Sequence, residues 1–279
     1  MASITALSES MNAIDQDDDL DYPMPDYIAA WKTYRTVSNE DQVIAGRLAQ
    51  SIILPGPRSK ILDVGPGDGR VLVRLLISLK QTPELLTIVE PNEAFCAETL
   101  RAVHYDDFAK AVITLQKKLK DCTDDELAGH DVITCTHTLY FMTSAELERL
   151  FSLVRGGATL FIVADHPESI FSRLWKQTAP SFYERVSEHI ATIRALDQTQ
   201  FTFAETVISA ALCDPMTLRD PICSLVMSML CYSDVDSMTD EQFAVVRRMI
   251  ASATTAGRIA CDSLFFEISA RRPLMKAVD

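Results

Sequence analysis

The stretch KILDVGPGDGR at 60–70 limits the fold more than any other feature of the chain. A short apolar run delivers Asp63 and Val64 to a turn in which Gly65 and Gly67 let the backbone approach a ligand, and Gly69 opens the following helix. A strand, a glycine turn and a helix in that order present helix N-terminal amides to an electronegative group. Such a unit belongs in a parallel sheet, and the neighbouring sequence supplies the remaining units. Apolar runs at 60–64, 86–90, 111–115, 131–136 and 158–164 alternate with helical patterns at 69–80, 93–103, 123–128 and 144–154. The order predicts a doubly wound α/β fold.

The flanking segments read differently. Residues 1–23 are polar and acidic and are expected to form a mobile tail. An amphipathic helix is expected from Tyr27 to Arg35, with Trp31 and Tyr34 on related faces. Ser38 is expected to cap a second helix that runs to Ser51, with Glu40 and Asp41 in its first turn. Beyond Asp165, HPESIFSRLWKQ, YERVSEHIATIRAL, 221–232 and 239–254 look helical. QFTFAETVISAAL alternates like an antiparallel or edge strand, and 261–270 reads as the last strand.

Composition narrows the partners. A net charge of −13 argues against nucleic acid, because phosphate binding needs clustered Lys and Arg. The seven cysteines form no CxxC pair and read as free thiols of a reducing compartment, and no metal-ligand spacing joins them to the five histidines. No apolar run reaches the roughly 18 residues of a membrane span. The expectations are a cytoplasmic location, no membrane partner and no metal. Oligomeric state is not legible.

About twenty residues beyond the glycines, LLTIVE ends in Glu90, followed by Pro91 and Asn92. An acid at the end of the second strand is placed to accept both hydroxyls of an adenosine ribose. A nicotinamide dinucleotide uses the same geometry, but GPGDG lacks the third glycine of GxGxxG at the required spacing. ILDVGPGDGR resembles instead the first motif of class I S-adenosylmethionine-dependent methyltransferases, over roughly 58–165. The resemblance implies a Rossmann-like, mostly parallel seven-stranded sheet flanked by helices, with a small helical cap. It implies a single domain at 24–279, with the cofactor-binding core at 58–165, the cap drawn from 24–57, 166–200 and 214–260, and a last strand at 261–270. The cofactor would be S-adenosylmethionine, with S-adenosylhomocysteine as product. Asp63, Gly65, Pro66 and Gly67 would line its methionine end and Glu90 with Pro91 its ribose, Asn92 would meet the adenosine edge, and Thr136 would complete the contacts.

The fourth strand continues as DVITCTHTLYFM and brings His137, Tyr140 and Phe141 to the edge where ligands of open α/β sheets collect. The stretch from Tyr27 to Arg70 and the segments THTLYFM, LFIVADHPESIFSRLWKQTAPSF and IACDSLFF together resemble histamine N-methyltransferase and its relatives. That resemblance implies a small amine as substrate. It places the family's glutamate on Glu40, its glutamine on His137 and its asparagine on Asp262, with Tyr27, Trp31, Tyr140, Phe141, Trp175 and Phe182 as the aromatic wall. His137, departing from the amide, would orient or deprotonate the nucleophile as a neutral imidazole. Three other chemistries use the same pocket: aminocarboxypropyl transfer or cyclisation from the cofactor's methionine chain, O- or S-methylation of a small metabolite, and cofactor binding without catalysis.

Overall fold

The computed structural model describes residues 26–104 and 108–271, so the acidic stretch 1–23 lies outside the described residues. Its centre is a sheet in the order β3-β2-β1-β4-β5-β8-β6, with a two-residue strand, β7, off that path. The strands are β1 (Lys60–Val64), β2 (Leu85–Val89), β3 (Ala111–Leu115), β4 (Val132–Thr136), β5 (Thr159–Asp165), β6 (Phe201–Cys213), β7 (Thr254–Thr255) and β8 (Arg258–Ala270). Strands β1 to β5 are parallel, and β8 runs antiparallel between β5 and β6. This is the Rossmann-like arrangement expected, with a mostly parallel sheet flanked by helices.

The helices are α1 (Tyr27–Val37), α2 (Glu40–Ser51), α3 (Arg70–Ser78), α4 (Glu93–His104), α5 (Asp124–Leu127), α6 (Ser144–Arg155), α7 (Ile170–Thr178), α8 (Pro180–Arg194), α9 (Ile222–Cys231) and α10 (Asp240–Ala253). They cover the sheet on both faces. Ile44 and Leu48 of α2 and Leu72 and Leu75 of α3 pack on Ile61, Ile88 and Phe265 of one face. The other face carries the larger core, which includes Leu147 and Leu150 of α6 and the aromatic side chains of α1, α7 and α8. Truncating one of these fully buried leucines to alanine costs about 2–5 kcal/mol, so either layer is needed for the fold.

Local chemistry explains the element ends. Thr143 accepts from the Glu146 amide (3.2 Å) while the Glu146 carboxylate accepts from the Thr143 amide (2.9 Å), a capping box that starts α6 directly after the β4 loop. The expected cap at Ser38 is one residue out. Asn39 precedes α2, and its side-chain oxygen accepts from the Ala211 amide (2.7 Å), tying the helix start to the edge strand β6. Ser38 is extended and accepts from the Glu40 amide (3.1 Å). The last strand begins at Arg258 rather than 261, because Ala256 and Gly257, both at positive φ, turn β7 back onto it. Among the described residues no helix is long and apolar enough to cross a membrane.

Candidate active site

The strand order reverses direction between β1 and β4, and the crevice beyond their C-terminal ends is where an open α/β sheet holds ligands. A cavity of about 450 Å³ opens there, within the range of small-molecule sites. It is lined by Asp63, Gly65, Pro66, Gly67, Glu90, Pro91, Asn92, Thr136, His137 and Phe141, so the residues expected at the cofactor come together. Trp31 and Tyr27 reach it from α1.

The turn is held open by its glycines. Gly65 (φ 68°) donates to Val89 O (2.8 Å), and a Cβ there would lie 2.4 Å from Thr138 Cγ2. Thr138 is itself fixed, with its hydroxyl within 3.1 Å of the carbonyl oxygens of Val64, Gly65 and Thr136. Gly67 (φ 60°) has only Trp31 Nε1, at 3.8 Å, near the place of a Cβ. Backbone of this shape fits a ligand that approaches the turn closely.

Two acids frame the turn. Glu90 accepts from the Gly67 amide (3.1 Å) and the Asn92 amide (2.9 Å), and burial lifts its carboxyl to about 7 against those bonds. Burial also raises Asp63 to about 7, offset in part by the hydroxyl of Thr134, which donates to it at 2.9 Å. Both carboxyls are poised to ionise fully when a cation arrives. Asn92 differs from expectation in part, because its side-chain oxygen accepts from the Phe95 amide (3.0 Å) and so caps α4. Its amino group and the second lone pair of that oxygen are left for an adenosine edge.

Beyond the cavity lies a charged cluster. His137, at φ 52° and donating its amide to Val163 O (2.9 Å), turns its ring between two acids. Its Nε2 is 3.2 Å from Glu40 Oε1 and its Nδ1 3.4 Å from Asp165 Oδ2. The Tyr140 hydroxyl donates to Asp165 and contacts His137 Nδ1, and the Tyr34 hydroxyl donates to Glu40 (3.0 Å). Burial alone would lower the His137 pKa, but Glu40 and Asp165 together raise it to about 10. Burial pushes the Glu40 carboxyl up, and His137, Arg35 and Tyr34 more than reverse this, leaving it below its ordinary value.

The expectation of a neutral His137 is therefore corrected. Two acids hold it as an imidazolium at neutral pH, with no lone pair to take a proton. Glu40, His137 and Asp165 each offer a ligand atom within 4.8 Å of the others, a spacing also open to a metal ion. The ring nitrogens already face both acids, so a metal would have to compete with the bound proton.

A second, small space of about 20 Å³ adjoins the cluster, walled by Tyr27, Trp31, Tyr34, Phe171, Trp175 and Tyr232. Trp175, expected on the aromatic wall, borders this space. Phe182 is not on this wall. It stacks on Tyr232 with ring centroids 4.0 Å apart and supports the wall from behind. Asp262 is the main correction. Its carboxylate accepts from the Ser209 hydroxyl (2.5 Å) of the neighbouring strand β6, and it lines neither space.

Asp165, which sequence reading missed, occupies the second acidic position. Its signal was present, since it ends β5 as Glu90 follows β2, at the same edge of the sheet. Tyr34 and Tyr232 carried no comparable mark. They enter the site only because α1 and α9 pack together over the sheet.

No protein-family model matches the sequence, and no curated protein aligns significantly with it. Solved structures do resemble it. A methyltransferase candidate from Bacillus halodurans C-125 is 14% identical over 82% of this chain and 98% of its own, with a TM-score of 0.52. YjhP from E. coli is 14% identical over 88% and 100%, with a TM-score of 0.53. YcgJ from Bacillus subtilis is 10% identical over 82% and 98%, with a TM-score of 0.52. At such identities the likeness establishes the fold, which is the Rossmann-like methyltransferase fold.

Proposed function

We propose that this chain transfers a methyl group from S-adenosylmethionine to a nitrogen of a small amine. The observation that carries the reading is the Glu40–His137–Asp165 cluster, in which two carboxylates face one imidazolium and from which His137 also lines the large cavity beside the glycine turn. One negative charge is left over in a buried place. A protonated amine held in that cavity beside His137 neutralises it, and the rings of Tyr27 and Phe141, which line the cavity, favour a cation for the same reason. The match of Glu40 to the glutamate of histamine N-methyltransferase is in keeping with an amine. The imidazolium at His137, where that family has an amide, speaks against histamine itself.

The cofactor reading rests on the turn. Gly65 and Gly67 leave room for close approach, Glu90 stands at the end of β2 for a ribose, and the carboxyls of Asp63 and Glu90 gain from a cationic neighbour. When bound, the sulfonium supplies a methyl group on an activated leaving group, so positioning can account for roughly 7–11 kcal/mol of the acceleration. Glu40 anchors the amine, and Tyr34 fixes the Glu40 carboxylate. His137, held by Asp165 and Tyr140, orients the nitrogen as a hydrogen-bond donor rather than a base. The nitrogen must shed its proton before attack, and the carboxylates of the cluster are the acceptors on offer.

Incubating the protein with methyl-labelled cofactor and a panel of imidazole, indole and aliphatic amines tests this. Label is expected in at least one amine, with S-adenosylhomocysteine formed alongside. Label in no amine, or methylthioadenosine as the product, overturns the proposal.

A further inference from the structure

We infer that Arg35 and Trp31 of α1 form the clamp for the α-carboxylate at the amino-acid end of the cofactor, an assignment that rests on the cofactor reading above. The sequence pattern put Trp31 on the acceptor's aromatic wall and gave Arg35 no role. In the fold both side chains line the large cavity at the glycine turn.

Trp31 Nε1 is buried, has no hydrogen-bond partner, and lies 3.8 Å from where a Cβ on Gly67 would stand. A buried N–H facing a ligand cavity without an acceptor is a position waiting for one. The Arg35 guanidinium sits 4.7 Å over the Trp31 ring, which fixes its plane, and its side chain is 4% exposed. It is ion-paired with Asp41 and, at 3.8 Å, with Asp68, the residue after Gly67. Neither its Nε nor its Nη2 makes a hydrogen bond of good geometry. With Nε taken up by the ion pair to Asp41, the Nη2 edge of the planar fork retains capacity beside the turn.

The chemistry of the ligand asks for this pairing. An amino-acid end carries an ammonium and a carboxylate on one carbon, so its site needs an acid and a base side by side. Asp63 provides the acid. Lys118 and Lys120 follow β3 and Arg185 is on α8; Asp68 at the turn pairs with both Arg70 (3.1 Å) and Arg35, and of these two Arg35 lines the cavity. A guanidinium that already bridges two acids can take a third carboxylate where an ammonium enters with it, because the two added charges then balance.

The test varies protein and ligand together, using calorimetric affinities of the full chain. S-adenosylhomocysteine carries the amino-acid end, and methylthioadenosine lacks it. Arg35→Met is expected to weaken S-adenosylhomocysteine about thirtyfold or more, and Trp31→Phe, which removes only the N–H and keeps a ring, about threefold to tenfold. Both variants should leave methylthioadenosine within about twofold of wild type. Equal losses for the two ligands, or no loss for either, would reduce Arg35 to a structural strut and overturn the clamp while the cofactor reading stands. If Arg35→Met does not fold, Trp31→Phe decides alone by the same criterion. Wild-type protein that binds neither ligand overturns the cofactor reading and the clamp with it.

Discussion

The glycine turn and Glu90 belong to one continuous βαβ unit, from β1 at Lys60 to Glu90 at the end of β2, whereas Glu40, His137 and Asp165 come from α2 and the ends of two other strands. Chain geometry alone brings the first pair together, since β1 and β2 are adjacent and parallel and Gly67 donates directly to Glu90. The second group meets only after α1, α2, α7 and α9 have packed over the sheet. If the first is the cofactor half and the second the acceptor half, as proposed, one built locally and the other by packing should fail in different ways when residues are changed.

The largest separation is expected from Glu40→Gln. The substitution keeps the shape and removes the charge that faces His137 and that the proposed function gives to anchoring the amine. Turnover should fall about a thousandfold. The Kd for S-adenosylhomocysteine should stay within about threefold of wild type, because Glu40 is not among the residues lining the large cavity. A matching loss of cofactor affinity would show that the two halves are one unit. Glu90→Ala is the complementary change. It removes the proposed ribose partner and the acceptor for two backbone amides, and should weaken S-adenosylhomocysteine about a hundredfold by calorimetry. Unaltered affinity would remove Glu90 from the site.

A pH titration sharpens the comparison further. Asp63 and Glu90 are raised to about 7, so below that pH a cationic ligand must displace protons from them. The affinity for S-adenosylmethionine should therefore fall as pH drops from 8 to 5.5, by about thirtyfold for each carboxyl that ionises on binding, with proton release measurable in buffers of different ionisation enthalpy. The acceptor half has the opposite sign. His137 is raised to about 10, so its ion pairs stabilise the fold fully below its unfolded value of about 6.5 and lose that contribution as pH rises through 10. Alkaline loss of thermal stability should be smaller in His137→Gln.

The same contrast explains what could be read from sequence. The turn, Glu90 and all five parallel strands follow from a short motif and from apolar runs whose ends differ from the observed strands by no more than a residue. Those are properties of neighbouring residues. The position of Asp262 depends on which face of β8 meets α2 and on Ser209 of β6, a residue more than fifty positions away. The charge state of His137 depends on Asp165 and Glu40 arriving together, which no single segment encodes. Arg35 was visible as the end of an amphipathic helix, but its seat over Trp31 and beside Asp68 required α1 to be docked on the turn.

The smallest expected effect bears directly on that correction. Asp262→Asn should change turnover less than about twofold, because an amide can still accept from the Ser209 hydroxyl and the side chain stands outside both spaces. Asp165→Asn, by contrast, removes the acid that faces His137 Nδ1 and accepts from Tyr140, leaving the ring with one charged partner instead of two. Its turnover should drop about a hundredfold, and the alkaline limit of activity should move to lower pH as His137 loses the field that raises it. If the two variants behaved the other way round, the acceptor chamber would have to extend across β8 to β6, and the anchoring acid would be the one the sequence pattern first indicated.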